Sequence, residues 1–106
     1  MTQPYTLYND LIKEVDIPKD GILSRTIHED AKMKVIVFGF DTGQELSEHT
    51  ASMPATLHFL QGDTKLTLGE DEMEVGVGAW VYMEANLSHS VYAKTPVIML
   101  LQLLKA

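Results

Sequence analysis

The sequence predicts an all-β protein, an antiparallel sandwich or barrel with a single core. From Ile22 onward, apolar and polar residues alternate over short runs, which is typical of half-buried strands. Glycine, proline, aspartate and asparagine separate these runs at short intervals, and no helical period is sustained. The 106 residues, 45% of them hydrophobic, suit one domain and leave no material for a second core.

Composition excludes several classes of function. The chain has no cysteine, which excludes disulfides, thiolate metal ligands and a thiol nucleophile. Its formal charge is -7 and its lysines are scattered, so no nucleic-acid partner is expected. The longest strongly apolar run, from Val97 to Leu101, is too short to span a bilayer, and no basic segment precedes an apolar one near the start. We therefore expect no membrane partner and a cytoplasmic location.

Residues 1–21 are predicted to form an N-terminal arm that precedes a barrel domain at 22–106. Alternation at Tyr5 and Leu7 fits a short strand, whereas a second set of apolar residues fits one helical turn. That second set is Leu7, Leu11, Ile12 and Val15. Both interpretations stay open, and Pro18 with Asp20 and Gly21 closes the arm as a turn.

The barrel domain contains nine runs that read as strands. They are ILSRTIH from Ile22, MKVIVFGF from Met33, ELSEHT from Glu45, ATLHFLQ from Ala55, TKLTL from Thr64, EMEV from Glu72, AWVYM from Ala79, HSVYA from His89 and PVIMLLQLLK from Pro96. Many short strands separated by turn residues favour an antiparallel sandwich or barrel.

Two of these strands are apolar on both faces. The runs Val35 to Phe38 and Val97 to Leu101 carry apolar residues at both parities, so both faces should lie away from water. The barrel interior covers one face. The other needs the N-terminal arm or a second copy of the chain, and a self-complementary patch usually closes as a two-fold dimer. We therefore predict a homodimer.

Residues 43–62 carry the first of two spaced motifs. Gly43, His49 and Gly62 fall at the positions of a pattern that reads Gly, five residues, His-x-His, three or four residues, Glu, six residues, Gly. Ala51 replaces its second histidine and Ala55 replaces its glutamate. With these two departures, the stretch resembles the first motif of the cupin superfamily.

Residues 78–93 resemble the second cupin motif, which reads Gly, five residues, Pro-x-Gly, two residues, His, three residues, Asn. Gly78 and His89 match it, while Glu84 stands for the proline, Asn86 for the glycine and Ala93 for the asparagine. Asn86 is a mild departure, because asparagine tolerates the left-handed backbone conformation better than most residues. The resemblance is strongest with small one-domain bacterial cupins.

This resemblance implies an antiparallel jelly-roll β-barrel. It also implies a metal site, because the family uses three histidines and one glutamate as ligands. The chain keeps two of the four, so the expected metal ligands are His49 and His89, with one divalent transition metal (Fe, Mn, Ni, Cu or Zn) between them. The expected ligand pocket consists of His49, Ala51, Met53, Ala55, Leu57, Met83 and His89. The alternative is a pair of partly buried neutral imidazoles without a metal.

The remaining histidines are expected outside this pocket. Strand alternation places Ala55, Leu57 and Phe59 inward, so His58 is expected on the outer face of its strand. His28 lies beside a turn and is expected to be exposed. Tyr92, at an odd offset from His89, is expected to point outward.

Three functions stay open at this point. The first is a barrel that binds an unidentified small molecule, with or without a metal. The second is a metal-dependent enzyme of dioxygenase or isomerase type, which the loss of two ligands disfavours. The third is a dimeric accessory or structural module with a vestigial pocket. The sequence names no substrate, since this architecture hosts many unrelated chemistries.

Overall fold

The computed structural model describes residues 4–106, and in these residues it contains nine strands and one short 3-10 turn. The turn spans Leu11–Glu14, and the Asp10 side chain accepts a hydrogen bond from the Ile12 amide at 3.2 Å. The strands are β1 (Ile22–Glu29), β2 (Met33–Phe40), β3 (Glu45–His49), β4 (Ala55–Gln61), β5 (Thr64–Leu68), β6 (Asp71–Val75), β7 (Trp80–Met83), β8 (His89–Ala93) and β9 (Val97–Leu104). The predicted all-β class is therefore confirmed, and of the two alternatives left open for the arm the structure has the helical turn, in 3-10 form.

The strands form two antiparallel sheets. One sheet has five strands in the order β1-β2-β9-β4-β7, and the other has four in the order β3-β8-β5-β6. The chain crosses between the sheets after β2, β3, β4, β6, β7 and β8. This repeated crossing makes the jelly-roll arrangement and brings the loops between sheets together at the ends of the sandwich.

The core fills the space between the sheets. Its largest fully buried side chains are Phe40, Phe59, Leu57, Leu66, Met83 and Met99. They come from alternate positions of the strands, since residues two apart in a strand share a face. The interior is therefore packed with side chains and is not an open channel.

The N-terminal arm covers part of the outer face of the five-stranded sheet. Val15 packs with Val37 and Ile98 in a second, smaller apolar cluster. Glu14 forms an ion pair with Arg25 of β1 at 2.8 Å. The arm thus covers part of the second apolar face of β2 and β9, for which we expected either the arm or a second copy of the chain.

Close approach of the arm requires a glycine in β2. A Cβ atom built on Gly39 would lie only 2.6 Å from the backbone oxygen of Asp16. The first strand, β1, begins at Ile22, directly after the arm. Over residues 4–106, none of the structure's helical segments has the length and apolar character needed to cross a bilayer.

Candidate functional site

Two histidines from adjacent strands of the four-stranded sheet lie in contact. His49 ends β3 and His89 begins β8, and the two residues are directly paired across these strands. Their ring centroids are 4.2 Å apart and the ring planes are tilted by 56°. The structure thus brings together the two residues that the sequence predicted as metal ligands.

An irregularity in β3 makes this pairing possible. Leu46 pairs with Val91 and His49 pairs with His89, so three steps along β3 match two steps along β8. In an uninterrupted ladder, Glu48 would stand opposite His89 and His49 would point to the other face. The extra residue is a β-bulge, and it turns His49 to the same face as His89.

The hydrogen bonds of the two rings fix which nitrogen carries the proton. Nδ1 of His49 lies 2.7 Å from the carbonyl oxygen of Ser47, and Nδ1 of His89 lies 2.9 Å from that of Leu87. A carbonyl oxygen only accepts, so each Nδ1 donates its hydrogen to it. In the neutral ring this leaves the lone pair of each Nε2 available to a ligand.

The two rings differ in their exposure. His89 is 6% exposed, and this burial lowers its pKa; the neighbouring His49 ring acts in the same direction, while the hydrogen bond to the Leu87 carbonyl opposes it. His49 is exposed to solvent. The pair therefore has one buried member, His89, whose neutral form is favoured, and one member, His49, that is exposed to solvent.

The other expected pocket residues are buried in the core or lie in the loop that follows His49. Ala55 and Met83 are directly paired in the five-stranded sheet, and both are buried in the core. Leu57 lies one inward step further along β4 and is also buried. Ala51 and Met53 are half-buried in the loop 50–54, which leads from His49 to Ala55.

Two loops that cross between the sheets are joined beside the histidines. The Asn86 amide donates to the carbonyl oxygen of Ala51 at 2.7 Å, linking the loop 84–88 to the loop 50–54. Asn86 has a φ of 68°, the left-handed conformation anticipated for this position of the second motif. This bond holds together the two segments that lead out of β3 and into β8.

Two contacts around the histidines were not predicted from the sequence. Ser88 Oγ donates to Glu48 Oε1 at 2.6 Å, which ties together the residues that precede each histidine. Leu68 of β5 is directly paired with His89 and supplies an apolar neighbour on its other side. The alternation in TKLTL could have indicated Leu68, but the Ser88–Glu48 contact depends on the unpredicted bulge.

His58, His28 and Tyr92 lie away from the pair. His58 is on the outer face of the five-stranded sheet, as predicted, and Tyr92 is exposed on the outer face of the other sheet. His28 differs from the exposed turn residue that we expected. It lies within β1, is half-exposed, and its Nε2 is 2.8 Å from Asp30 Oδ2.

Two surface cavities lie elsewhere on the molecule. One of about 450 Å³ lies on the outer face of the four-stranded sheet, lined by Glu45, Lys65, Thr67, Glu72, Ser90 and Tyr92. Another of about 280 Å³ lies between the arm and β1–β2, lined by Thr6, Tyr8, Ile27, His28, Met33 and Val35. We place the candidate site at the histidines, because donor atoms in a fixed tautomer converge there. The residues of the larger cavity are those expected on a solvated sheet face.

The site offers two protein ligands to a metal ion. In residues 4–106, no group of three or more histidine, cysteine, aspartate or glutamate side chains is arranged to hold one. The donor chemistry of two neutral imidazoles still fits a divalent transition metal, provided that the remaining coordination positions are filled by water or by a small molecule.

Comparison with solved structures finds several similar folds. A conserved protein of unknown function from Streptococcus pyogenes is 31% identical, with a TM-score of 0.84 over 100% of this chain and 91% of that one. A cupin superfamily protein from Desulfitobacterium hafniense is 19% identical, with a TM-score of 0.86 over 100% of this chain and 95% of that one. A cupin 2 conserved barrel domain protein from Leptotrichia buccalis is 26% identical, with a TM-score of 0.82 over 89% of this chain and 46% of that one.

No family model matches the sequence, and no curated protein matches it.

Proposed function

We propose that this chain, whose fold is that of cupin proteins, is a small-molecule-binding barrel that holds one divalent transition metal ion between His49 and His89. The observation that carries this proposal is the pair of hydrogen bonds from the Nδ1 atoms to backbone carbonyls, at 2.7 Å and 2.9 Å. Metal-binding histidines almost always donate their second ring hydrogen in this way, which orients the ring and raises its basicity.

The small number of protein metal ligands favours ligand binding over catalysis. Catalytic metal sites usually have three protein ligands, and this pair supplies two. More coordination positions are therefore left to water or to a bound molecule. The ligand would be a small molecule that presents an oxygen or nitrogen donor to the metal. When bound, the ion would supply Lewis-acid polarisation of that donor.

Exposure indicates the side from which such a molecule would approach. His89 is buried beside Leu68 in the sheet, whereas His49 is exposed. The ligand would reach the pair from the side of His49, and the loops 50–54 and 84–88 would lie beside it. Burial of His89 favours its neutral form, which is the form that binds metal.

Metal analysis of tag-free protein tests the metal part of the proposal. We expect bound metal in the wild-type chain and negligible metal in a His49→Ala/His89→Ala double variant. The matched control is His28→Ala/His58→Ala, which removes two histidines outside the site and should keep its metal. Equal metal content in all three proteins would contradict the proposal.

Thermal unfolding in the presence of small molecules tests the ligand part. A compound that binds only the native protein raises the melting temperature, and at a concentration of about 100 Kd it contributes about 2.7 kcal/mol. We expect some metal-ligating compounds to stabilise the metal-loaded wild-type chain and to leave the His49→Ala/His89→Ala variant unchanged. Identical shifts in both proteins would show that the compounds bind elsewhere.

A further inference from the structure

Beyond the apolar cluster around Val15, the outer face of the five-stranded sheet continues across β4 to the edge strand β7. The outward residues of this part, which we call the neutral face, are Thr56, His58, Trp80, Tyr82, Leu100 and Gln102. Thr56 is buried and Leu100 packs against the cluster around Val15, so the exposed aromatic side chains lie on β7. Trp80 is 62% exposed and Tyr82 is 49% exposed. No residue of the neutral face is an aspartate, glutamate, lysine or arginine, although the chain carries a formal charge of -7. Another acidic molecule could approach here without the like-charge repulsion that it would meet elsewhere.

The strand at the border of this face is also an unprotected sheet edge. Exposed edges are usually blunted by charges, prolines or bulges. The other three edge strands carry charges: Arg25 and Glu29 on β1, Glu45 and Glu48 on β3, and Asp71, Glu72 and Glu74 on β6. β1 and β3 also contain irregularities. β7, with the sequence WVYM, has no charge, no proline and a regular pairing with β4.

Hydrogen bonding to β4 determines which backbone groups of β7 remain open. The Phe59 amide donates to the carbonyl oxygen of Ala79 at 3.0 Å, in the same register as the β4–β7 ladder. In an antiparallel pair the bonded residues alternate, so Val81 and Met83 direct their backbone groups toward β4. The N–H and C=O groups of Trp80 and Tyr82 then face the free edge.

We propose that a second copy of this chain pairs with this edge, antiparallel, about a two-fold axis at Val81. Directly opposed residues in an antiparallel pair point to the same face, so outward Trp80 must stand opposite an outward residue of the partner. A register centred on Val81 places Trp80 opposite the partner subunit's Tyr82 and pairs the open backbone groups of both. The two five-stranded sheets then form one continuous sheet of ten strands.

A second copy of the chain is the partner that the geometry of this edge favours. Antiparallel pairing of a strand with its own copy is two-fold symmetric and closes after two subunits. It places two aromatic pairs across the seam, each of a kind that stabilises strand pairing by roughly 0.2–1 kcal/mol. It also continues the neutral face across the interface, so no charge is buried.

Trp80 reports directly on this contact because it is the only tryptophan in the chain. We expect sedimentation velocity to show a dimer, with tryptophan emission shifting to shorter wavelength as protein concentration rises and the dimer forms. Trp80→Glu should be monomeric at concentrations where the wild-type chain is dimeric. Tyr92→Glu, which alters an exposed strand aromatic on the other sheet, should remain dimeric. A wild-type monomer at every concentration, or a dimer whose emission does not shift, would overturn the proposal.

A single introduced cysteine tests the register. The chain has no cysteine, so Val81→Cys could form a disulfide only with its own copy. In the proposed register the two Val81 residues are a non-hydrogen-bonded pair with Cα atoms about 4.5 Å apart, which is within disulfide range. Mild oxidation should cross-link Val81→Cys and leave Met73→Cys, a half-buried residue at the centre of β6, uncross-linked. Cross-linking of both or of neither would contradict pairing at β7.

Discussion

At the scale of single residues, the proposed function depends on the tautomeric state of the His49 and His89 rings. Each ring donates its Nδ1 hydrogen to the carbonyl of the residue two positions earlier, Ser47 or Leu87. The sequence predicted that His49 and His89 converge, because both occupy motif positions. It could not predict the tautomer, since this depends on the local course of the backbone before each ring.

The tautomer itself is testable in solution. At neutral pH and without metal, we expect the neutral rings of His49 and His89 to carry hydrogen on Nδ1 and none on Nε2, because the carbonyl contacts hold that hydrogen. Long-range proton–nitrogen correlation spectra distinguish the two forms. Added Zn²⁺ should perturb the Nε2 resonances of both rings, while His58 serves as the internal control. Protonated Nε2 atoms in both neutral rings would rule out the arrangement described above.

At the scale of strands and turns, the alternation of apolar and polar residues predicts which face a side chain occupies, except where a β-bulge interrupts the strand. The parity of Ala55, Leu57 and Phe59 correctly placed His58 on the outer face. In β3 the same rule fails, because the bulge between Leu46 and His49 reverses the parity. Nothing in ELSEH marks an extra residue. Bulges depend on the partner strand and on the loops that join it, so a single run of sequence does not contain them.

The β1–β2 turn is held by one carboxylate whose titration can be followed. Asp30 Oδ2 contacts the His28 ring, and Oδ1 accepts from the amides of Lys32 and Met33. These contacts, led by His28, lower the pKa of Asp30 from 3.8 to about 2. The folded chain therefore binds this proton less readily than the unfolded chain. Its contribution to stability is complete above pH 3.8 and is lost as the pH falls to about 2.

We expect Asp30→Asn to lower stability at neutral pH and to flatten the decline of stability in this acidic range. Chemical denaturation at a series of pH values measures both effects. Asp71→Asn, which changes an exposed carboxylate of β6, is the control and should keep the wild-type decline. If Asp30→Asn shows the same acid dependence as the wild-type chain, the Asp30 contacts do not stabilise the turn.

The close contact between the arm and β2 leads us to expect that a side chain at Gly39 destabilises the protein. Gly39→Ala would place a methyl group 2.6 Å from the Asp16 carbonyl oxygen, so the arm must shift. We expect a loss of roughly 1–3 kcal/mol, typical of overpacking, with faster hydrogen exchange at Val15 and Ile17. Gly21→Ala is the matched control, because its nearest neighbour is a side-chain carbon of Pro18 at 3.4 Å. Equal effects of both changes would argue against a tightly docked arm.

At the scale of the whole molecule, the sequence predicted the architecture and left the division of its outer surface open. Because β2 and β9 are apolar on both faces, the sequence predicted that their outer face is covered. The arm covers part of this face through Val15. Which half the arm would cover could not be predicted, since this depends on strand order. β9 lies between β2 and β4, although both are distant in sequence.

Because the interior is packed, we expect truncation of a core side chain to lower the free energy of unfolding substantially. Leu57 is 1% exposed between the sheets, so Leu57→Ala should cost about 2–5 kcal/mol through lost burial and a residual cavity. Leu23, which is 44% exposed on β1, offers a matched truncation that should cost much less. Denaturant unfolding compares the two variants. Similar, small losses would indicate an open interior around Leu57 and a roomier ligand pocket than the structure shows.

We propose that two histidines from neighbouring strands hold one metal ion between them. Anomalous diffraction at the absorption edge of the metal, from crystals grown with that metal in excess, tests it most directly. We predict one anomalous peak in each chain about 2.0–2.1 Å from Nε2 of both His49 and His89, the distance typical of zinc–imidazole bonds. Absence of a peak between these rings, or a peak only at His28 or His58, would contradict the account.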